Sequence, residues 1–262
     1  MQTEKVINHI VNWLKTYAEN AKCKGFVIGV SGGIDSAVTS TLCAKTGLDL
    51  LCLEMPIHQG KNQVTRADWH IDWLMENFPN VSRQPVNLTP VFDSLVDAFP
   101  KVDKEEERFM SLANTRARLR MTTLYYFAAL KGYLVAGTGN KVEDFGIGFY
   151  TKYGDGGVDL SPIADLLKTE VYEIGRVLGV NQDIMDAAPT DGLWGDSRTD
   201  EDQIGASYPE LEWAMEMDDK GKTAEDFSDR KKEIFTIYKT YNTANKHKMV
   251  PIPICEIPAA LK

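Results

Sequence analysis

Only four cysteines occur in 262 residues, and none are spaced as CxxC, which leaves no zinc ribbon, thioredoxin-type site or disulfide framework to expect. Cys23, Cys43, Cys52 and Cys255 mostly flank or lie in apolar runs and are expected to be buried thiols of a reducing compartment. No window approaches the roughly 18 apolar residues a membrane span needs, so no membrane partner is expected. The opening MQTEKVINHIVNWLK is amphipathic and lacks the continuous apolar stretch of a signal peptide; a cytoplasmic protein is expected. Without such a signal, the glycosylation sequons at Asn80 and Asn87 read as chance matches. A basic surplus is also missing: 29 basic residues face 38 acidic ones, a net charge of −9, which argues against a nucleic-acid partner. The acidity is local, because residues 200–230 hold 11 acidic and 3 basic side chains.

What the chain does have is a 43% hydrophobic content, enough for a sizeable core, arranged in alternating short apolar runs and helical stretches. Val6, Ile10, Trp13, Leu14 and Tyr17 predict an opening helix. Phe26–Val30, Asp49–Met55 and Tyr133–Ala136 predict strands buried on both faces, with a short further strand at Gln84–Leu88. Helices are expected over Ile34–Lys45, 61–77, about 104–131, Leu166–Leu178 and about Phe227–Tyr241. The glycine-rich stretch 146–157 predicts a shaped loop, and residues 187–209 a long loop able to act as a lid. This order predicts a single α/β domain over 1–262, a doubly wound, Rossmann-like parallel sheet flanked by helices.

The first strand runs into Gly29-Val30-Ser31-Gly32-Gly33-Ile34-Asp35-Ser36. A glycine-rich turn at a strand's carboxyl end, followed by a helix N-terminus, turns backbone N–H groups toward an anion such as phosphate. Asp35 would repel phosphate by itself but fits if it holds a divalent cation that the phosphates share. A Walker loop is excluded, because no Lys or second spaced Gly follows. Gly29 to Gly33 also satisfies G-x-S-x-G, the hydrolase nucleophile elbow, with His247 late in the chain; against it, no upstream strand–loop is left to supply an oxyanion hole. A plain tight turn needs two glycines, but not Ser31, Asp35 and Ser36 as well.

SGGIDS resembles the pyrophosphate-binding loop of the PP-loop ATP pyrophosphatases, a motif shared by several activities. Later segments resemble the NAD synthetase branch in order along essentially the whole chain. Gly137-Thr138-Gly139-Asn140 through Glu143 resembles its GTxNxxE segment, and Phe149 to Asp159 (FYTKYGDGGVD) its glycine-rich loop. Leu160 to Val171 resembles the segment with its phosphate-binding lysine. Pro189-Thr190 and Asp200-Glu201 with Gly205 resemble its mobile loop, with Gly192 intervening in Asp191-Gly192-Leu193. His247-Lys248 resembles its late HK pair. Between Glu143 and Lys152 this chain is one residue longer than that pattern, which makes Asp144 a neighbour of interest.

The resemblance implies amidation of deamido-NAD with ATP and ammonia to give NAD, AMP and pyrophosphate through an NAD-adenylate. It implies that Gly29 to Ser36, together with Thr138, Lys168 and Thr190, binds ATP, and that Asp35 and Glu143 hold Mg²⁺. Arg118, Lys152, Asp159, His247 and Lys248 would bind deamido-NAD, and Asp155 would take a proton from ammonium, a structural role for Asp155 remaining the alternative. Among the helix 104–131 arginines, Arg118 falls about 160° from Arg116 and Arg120, which are expected at the edge of the apolar stripe or at a subunit contact. His9, His58 and His70 are expected on surfaces or helix faces. Trp13, Trp69 and Trp73 are expected in the core or an interface, and Trp194 in the lid. About 28 residues precede the loop, too few for a glutaminase domain, so free ammonia or a partner supplying it is expected. The resemblance further implies a homodimer with deamido-NAD at the subunit interface. Another amidating or thiolating pyrophosphatase and, more distantly, a serine hydrolase using Ser31 remain open at this point.

Overall fold

The structure is a computed structural model that describes residues 1–59, 61–102, 104–190 and 199–262, without the side chains of 61–64 and 105–107. Helix α1 (Thr3–Asn20) buries Ile7, Ile10, Leu14 and Ala18, one helical face. Strand β1 (Gly25–Gly29) leads into α2 (Ile34–Ala44), then β2 (Asp49–Glu54), α3 (Lys61–Asn77), β3 (Val81–Pro85), α4 (Thr89–Ala98), α5 (Glu105–Lys131) and β4 (Leu134–Val135). A π-helical turn (Val142–Ile147) precedes α6 (Lys168–Leu178), α7 (Gln182–Met185), α8 (Asp200–Ile204), α9 (Tyr208–Asp219) and α10 (Asp229–Met249).

The four strands are parallel in the order β3-β2-β1-β4. The chain winds outward from β1 to β3 and then crosses back to β4. The reversal between β1 and β4 opens a crevice at their carboxyl ends, the place where such sheets hold ligands. Alternate β1 residues serve two cores. Phe26 and Ile28 pack with α1, α2, α3 and α6 residues such as Leu14, Leu42, Ile71 and Ile174. Val27 faces the other way, with Leu51, Leu53, Phe92 and Ala128. Helices on both faces explain why these strands read as continuous apolar runs. A third cluster joins α9 and α10 to the π-helical turn through Ile147, Tyr208, Leu211 and Phe235.

Several boundaries differ from the sequence reading. The third strand lies at Val81–Pro85, because Leu50 to Glu54 of β2 take those residues as register partners. Val86 to Leu88 lead instead into α4, where Asn87 Oδ1 accepts the Thr89 N–H (3.0 Å). The expected loop 187–209 contains α8, whose Asp202 N–H donates to Thr199 Oγ1 while the Asp202 carboxylate accepts the Thr199 N–H in return. The last helix runs to Met249, so His247 and Lys248 sit in its final turn. His70 is buried, not on a surface, with Nε2 3.0 Å from Ser40 Oγ. Cys43 and Cys52 are buried as expected, but Cys255 is exposed and Cys23 half-buried. Trp13 and Trp69 are exposed, while Trp73 packs against the core. Asp191, Gly192, Leu193 and Trp194 lie outside the described residues.

Candidate active site

The loop after β1 is held by its own hydroxyls. Ser31 N–H donates to Ser36 Oγ (3.2 Å), and Gly33 N–H to Ser31 Oγ (3.3 Å). Ser36 Oγ donates to Gly33 O (3.0 Å) and lies 3.1 Å from Ser31 Oγ. Gly32 has φ +80°, a left-handed conformation that a side chain would strain. Arg66 of α3 clamps the turn from outside, its Nε donating to Gly32 O (3.1 Å). Among the described residues no histidine bonds Ser31, so the hydrolase reading lacks its base.

The first turn of α2 presents Asp35 to two partners from elsewhere in the chain, Lys168 and Asn140. Lys168 Nζ, from the first residue of α6, is 2.5 Å from Asp35 Oδ2 and 2.9 Å from Glu143 Oε1. Asn140 Nδ2 donates to Asp35 Oδ1 (3.1 Å), while its Oδ1 accepts the Val142 and Glu143 N–H groups. Tyr208 OH donates to Glu143 Oε1 (2.6 Å), and its ring lies 4.8 Å from Lys168 Nζ. Lys168 is fully enclosed; burial opposes its charge, but Asp35 and Glu143 outweigh it and hold the ammonium well above its ordinary pKa. Burial raises the pKa of Asp35 despite Lys168. For Glu143, burial is outweighed by Lys168 and the Tyr208 hydroxyl, and the net shift is downward. Two carboxylates therefore converge on one cation in a pocket of hard oxygen donors.

Beside this cluster opens a cleft of about 880 Å³, lined by the ends of β1, β2 and β3, by α5, and by the loop 148–158. Gly29, Val30, Ser31, Thr138, Asp155, Thr190 and Lys248 line it. Asp155 opens onto the cleft yet is ringed by protein, which raises its pKa, while its Oδ1 accepts Thr151 N–H (3.0 Å). Lys248 Nζ donates to the carbonyls of Gly148 and Tyr150, both at 2.8 Å. Asp144 lies behind Gly139, and burial followed by Glu143, Asp155 and Asp35 pushes its carboxyl up to about 8.

The residues expected to bind the dinucleotide do not all reach this cleft. Arg118 is exposed and reaches Lys152 O (Nη2, 3.3 Å), and Lys152 Nζ donates to His247 O (2.8 Å). These three form a linked arc outside the cleft lining. Asp159 commits its two oxygens to Tyr125 OH (3.0 Å) and Val135 N–H (2.8 Å), which ties its loop to α5 and β4. Sequence reading assigned no role to Asn140, Tyr208 or Arg66, and expected Arg120 at the edge of the apolar stripe or at a subunit contact. Asn140 stood inside a quoted motif; the others carry no local signal.

Comparison with known proteins accounts for this combination. The family model for NAD synthase matches residues 6–251. An NH(3)-dependent NAD(+) synthetase from Carboxydothermus hydrogenoformans is 40% identical over 215 residues, 80% of this chain and 84% of that protein. One from Syntrophomonas wolfei is 34% identical over the full length of both. Among solved structures, an NMN synthetase from Francisella tularensis superposes with a TM-score of 0.82 at 30% identity, covering 99% of each chain. An NH3-dependent NAD synthetase from Campylobacter jejuni superposes with a TM-score of 0.78 at 25% identity, covering 98% of this chain and all of that one. With a parallel sheet of the same architecture and a matched span covering nearly the whole chain, this protein belongs to the NAD synthase family.

Proposed function

We propose that the protein is a ligase that uses ATP and ammonia to amidate deamido-NAD to NAD, releasing AMP and pyrophosphate. The observation that carries this reading is the convergence of Asp35, Glu143 and Lys168 next to a glycine turn whose Gly29, Val30 and Ser31 line a nucleotide-sized cleft. A carboxylate resists amine attack, since it would have to expel oxide. Joining the nicotinate carboxylate to the α-phosphate of ATP breaks the α–β phosphate bond and releases pyrophosphate. Ammonia then attacks the acyl carbon and expels AMP.

The loop amides at the α2 N-terminus, with Ser31 and Ser36, cradle the departing pyrophosphate. Thr138 and Thr190 are in place to bond ATP. Asp35 and Glu143 form a hard-oxygen pair suited to Mg²⁺, and Lys168 leaves that pair with one uncancelled negative charge. When bound there, Mg²⁺ supplies charge neutralisation for the triphosphate. Lys168 remains as a fixed cation once phosphate oxygens arrive. Asp155, with its raised pKa, is fitted to accept a proton from ammonium and release the free amine.

Arg118, Lys152 and His247 lie outside the cleft, and α5 also exposes Met110, Tyr126 and Leu130. This supports a homodimer in which the dinucleotide reaches across the subunit boundary, with Asp159 and Lys248 shaping its seat. The likeness to an NMN synthetase favours a second reading, in which a nicotinate mononucleotide is the amidated substrate. We place the enzyme in the cytoplasm, as a single catalytic domain fed by free ammonia.

The test supplies ATP, Mg²⁺ and ammonium with either deamido-NAD or nicotinate mononucleotide and measures AMP, pyrophosphate and amide product. NAD formed at the higher kcat/KM supports the first reading and NMN the second. Amidation of neither overturns both. Asp35→Asn should abolish turnover with the fold retained.

A further inference from the structure

Helix α5 carries three arginines within five residues, and the structure gives each a different fate. Arg116 lays its guanidinium 4.4 Å from the centre of the Phe92 ring. Arg118 is exposed and reaches a backbone carbonyl. Arg120, expected with Arg116 at a stripe edge or subunit contact, instead lines the cleft. Its Nε donates to Met55 O (3.1 Å) at the end of β2, and its Nη2 is buried with no hydrogen-bond partner. Burial lowers its pKa to about 10, with Arg116 adding repulsion and Asp155 partly offsetting it. A buried guanidinium with an unused donor is costly unless an acceptor arrives.

The other cations in the cleft lining are committed. Arg83 is bonded to Glu54, Asp68 and Asp72, and Lys248 to two carbonyls. Gln203 Nε2, from α8, is a second buried donor without a partner, and Gln203 lines the same cleft. Thr39 Oγ1, the one other unpartnered buried side-chain atom among the described residues, belongs to α2 and does not line it. Among the described residues, two of the three unsatisfied buried groups therefore ask for acceptor oxygens in one cavity.

We propose that Arg120 is a substrate-binding residue whose guanidinium takes an anionic oxygen, phosphate or carboxylate, of a nucleotide seated in the cleft. Gln203 supplies a neutral donor to the same occupant. The inference rests on the nucleotide-amidating reading above. ATP offers phosphate oxygens, and the nicotinate nucleotide offers both phosphate and carboxylate, so the two sources must be titrated separately.

The experiment measures binding of ATP with Mg²⁺ and of deamido-NAD by calorimetry, together with ligand-free Tm, for wild type, Arg120→Gln and Arg120→Lys. Arg120→Gln should weaken one ligand by about tenfold or more. Its ligand-free Tm should hold or rise, because an unpaired buried charge is gone. Arg120→Lys should recover part of the affinity. A loss confined to ATP assigns the oxygen to its phosphates; a loss confined to deamido-NAD assigns it to the acyl substrate. Wild-type affinity for both ligands in Arg120→Gln overturns the proposal, as does a loss that comes with a lower ligand-free Tm and is not relieved by Lys. Failure of the amidation reading would differ, since wild type itself would then form no amide product.

Discussion

Lys168 Nζ stands 2.5 Å from Asp35 Oδ2, joining the first residue of α6 to the first turn of α2 across 133 residues of sequence. With Glu143 on its other side, the ammonium holds two enclosed carboxylates together. Lys168→Met should strand that pair and cost about 3–5 kcal/mol of stability, the usual penalty for removing one partner from a buried ion pair. Adding Asp35→Asn removes the repulsion and should restore most of the loss, while turnover stays abolished in both variants. Urea unfolding of the two proteins measures this; equal destabilisation would show that Lys168 acts on stability through its stem alone.

Tyr208 ties the same cluster to the third core. Its hydroxyl donates to Glu143 at 2.6 Å and lies 3.3 Å from Asp200 Oδ2, and its N–H donates to Glu201 at 2.9 Å. Tyr208→Phe keeps the ring over Lys168 and deletes only the hydroxyl. A hydrogen bond to a charged group is worth about 1.5–3 kcal/mol, so kcat should fall about tenfold or more, with a higher Mg²⁺ requirement as Glu143 loses its fixed orientation. Magnesium titrations of steady-state rates check this. An unchanged Mg²⁺ requirement would mean that Asn140 and Lys168 suffice to hold Glu143.

The contrast between Lys168 and Tyr208 shows where sequence reading stops. Asp35, Glu143 and Lys168 were legible because each sits in a motif whose spacing is set by a strand end or helix start. The buried strands were legible for a similar reason: helices on both faces leave continuous apolar runs such as Phe26–Ile28. Arg66 and Arg120 reach the site from helix interiors and Tyr208 from the first residue of α9, and their direction depends on how α3, α5 and α9 pack. Arg120 and Arg116 lie about 40° apart on α5, so periodicity gives them one face and cannot assign one to Phe92 and the other to the cleft. The third strand was misplaced because Val81–Pro85 has only one buried residue, and pairing with β2, not composition, makes it a strand.

Gly139 and Asp144 test the extra residue in this stretch. A Cβ at position 139 would overlap the Asp144 carboxylate, and the position has no left-handed φ, so the constraint is steric. Gly139→Ala should destabilise the protein by about 1–3 kcal/mol through overpacking. In an Asp144→Ala background the same change should cost little, because the carboxylate is absent. A double-mutant cycle by urea unfolding reads the coupling directly; additive effects would mean that Asp144 swings aside freely.

His70 predicts how the loop scaffold responds to acid. Its ring stacks on Trp73, with centroids 5.7 Å apart, and Nε2 meets Ser40 of α2, the helix that carries Asp35. Burial lowers its pKa to about 4, below the ordinary 6.5. The unfolded chain therefore binds the proton first. The stability tied to neutral His70 is complete above pH 6.5 and drains away as pH falls toward 4, by up to about 3 kcal/mol. His70→Gln keeps a polar group toward Ser40 but cannot titrate, so its unfolding free energy should fall less steeply over that window, by up to about 1.4 kcal/mol per pH unit. Carboxylates titrate in both proteins and cancel in the difference. Parallel curves would mean that the imidazolium finds a partner in the folded chain. Divergent ones would make His70 the group through which acid loosens α2 and, with it, the phosphate loop.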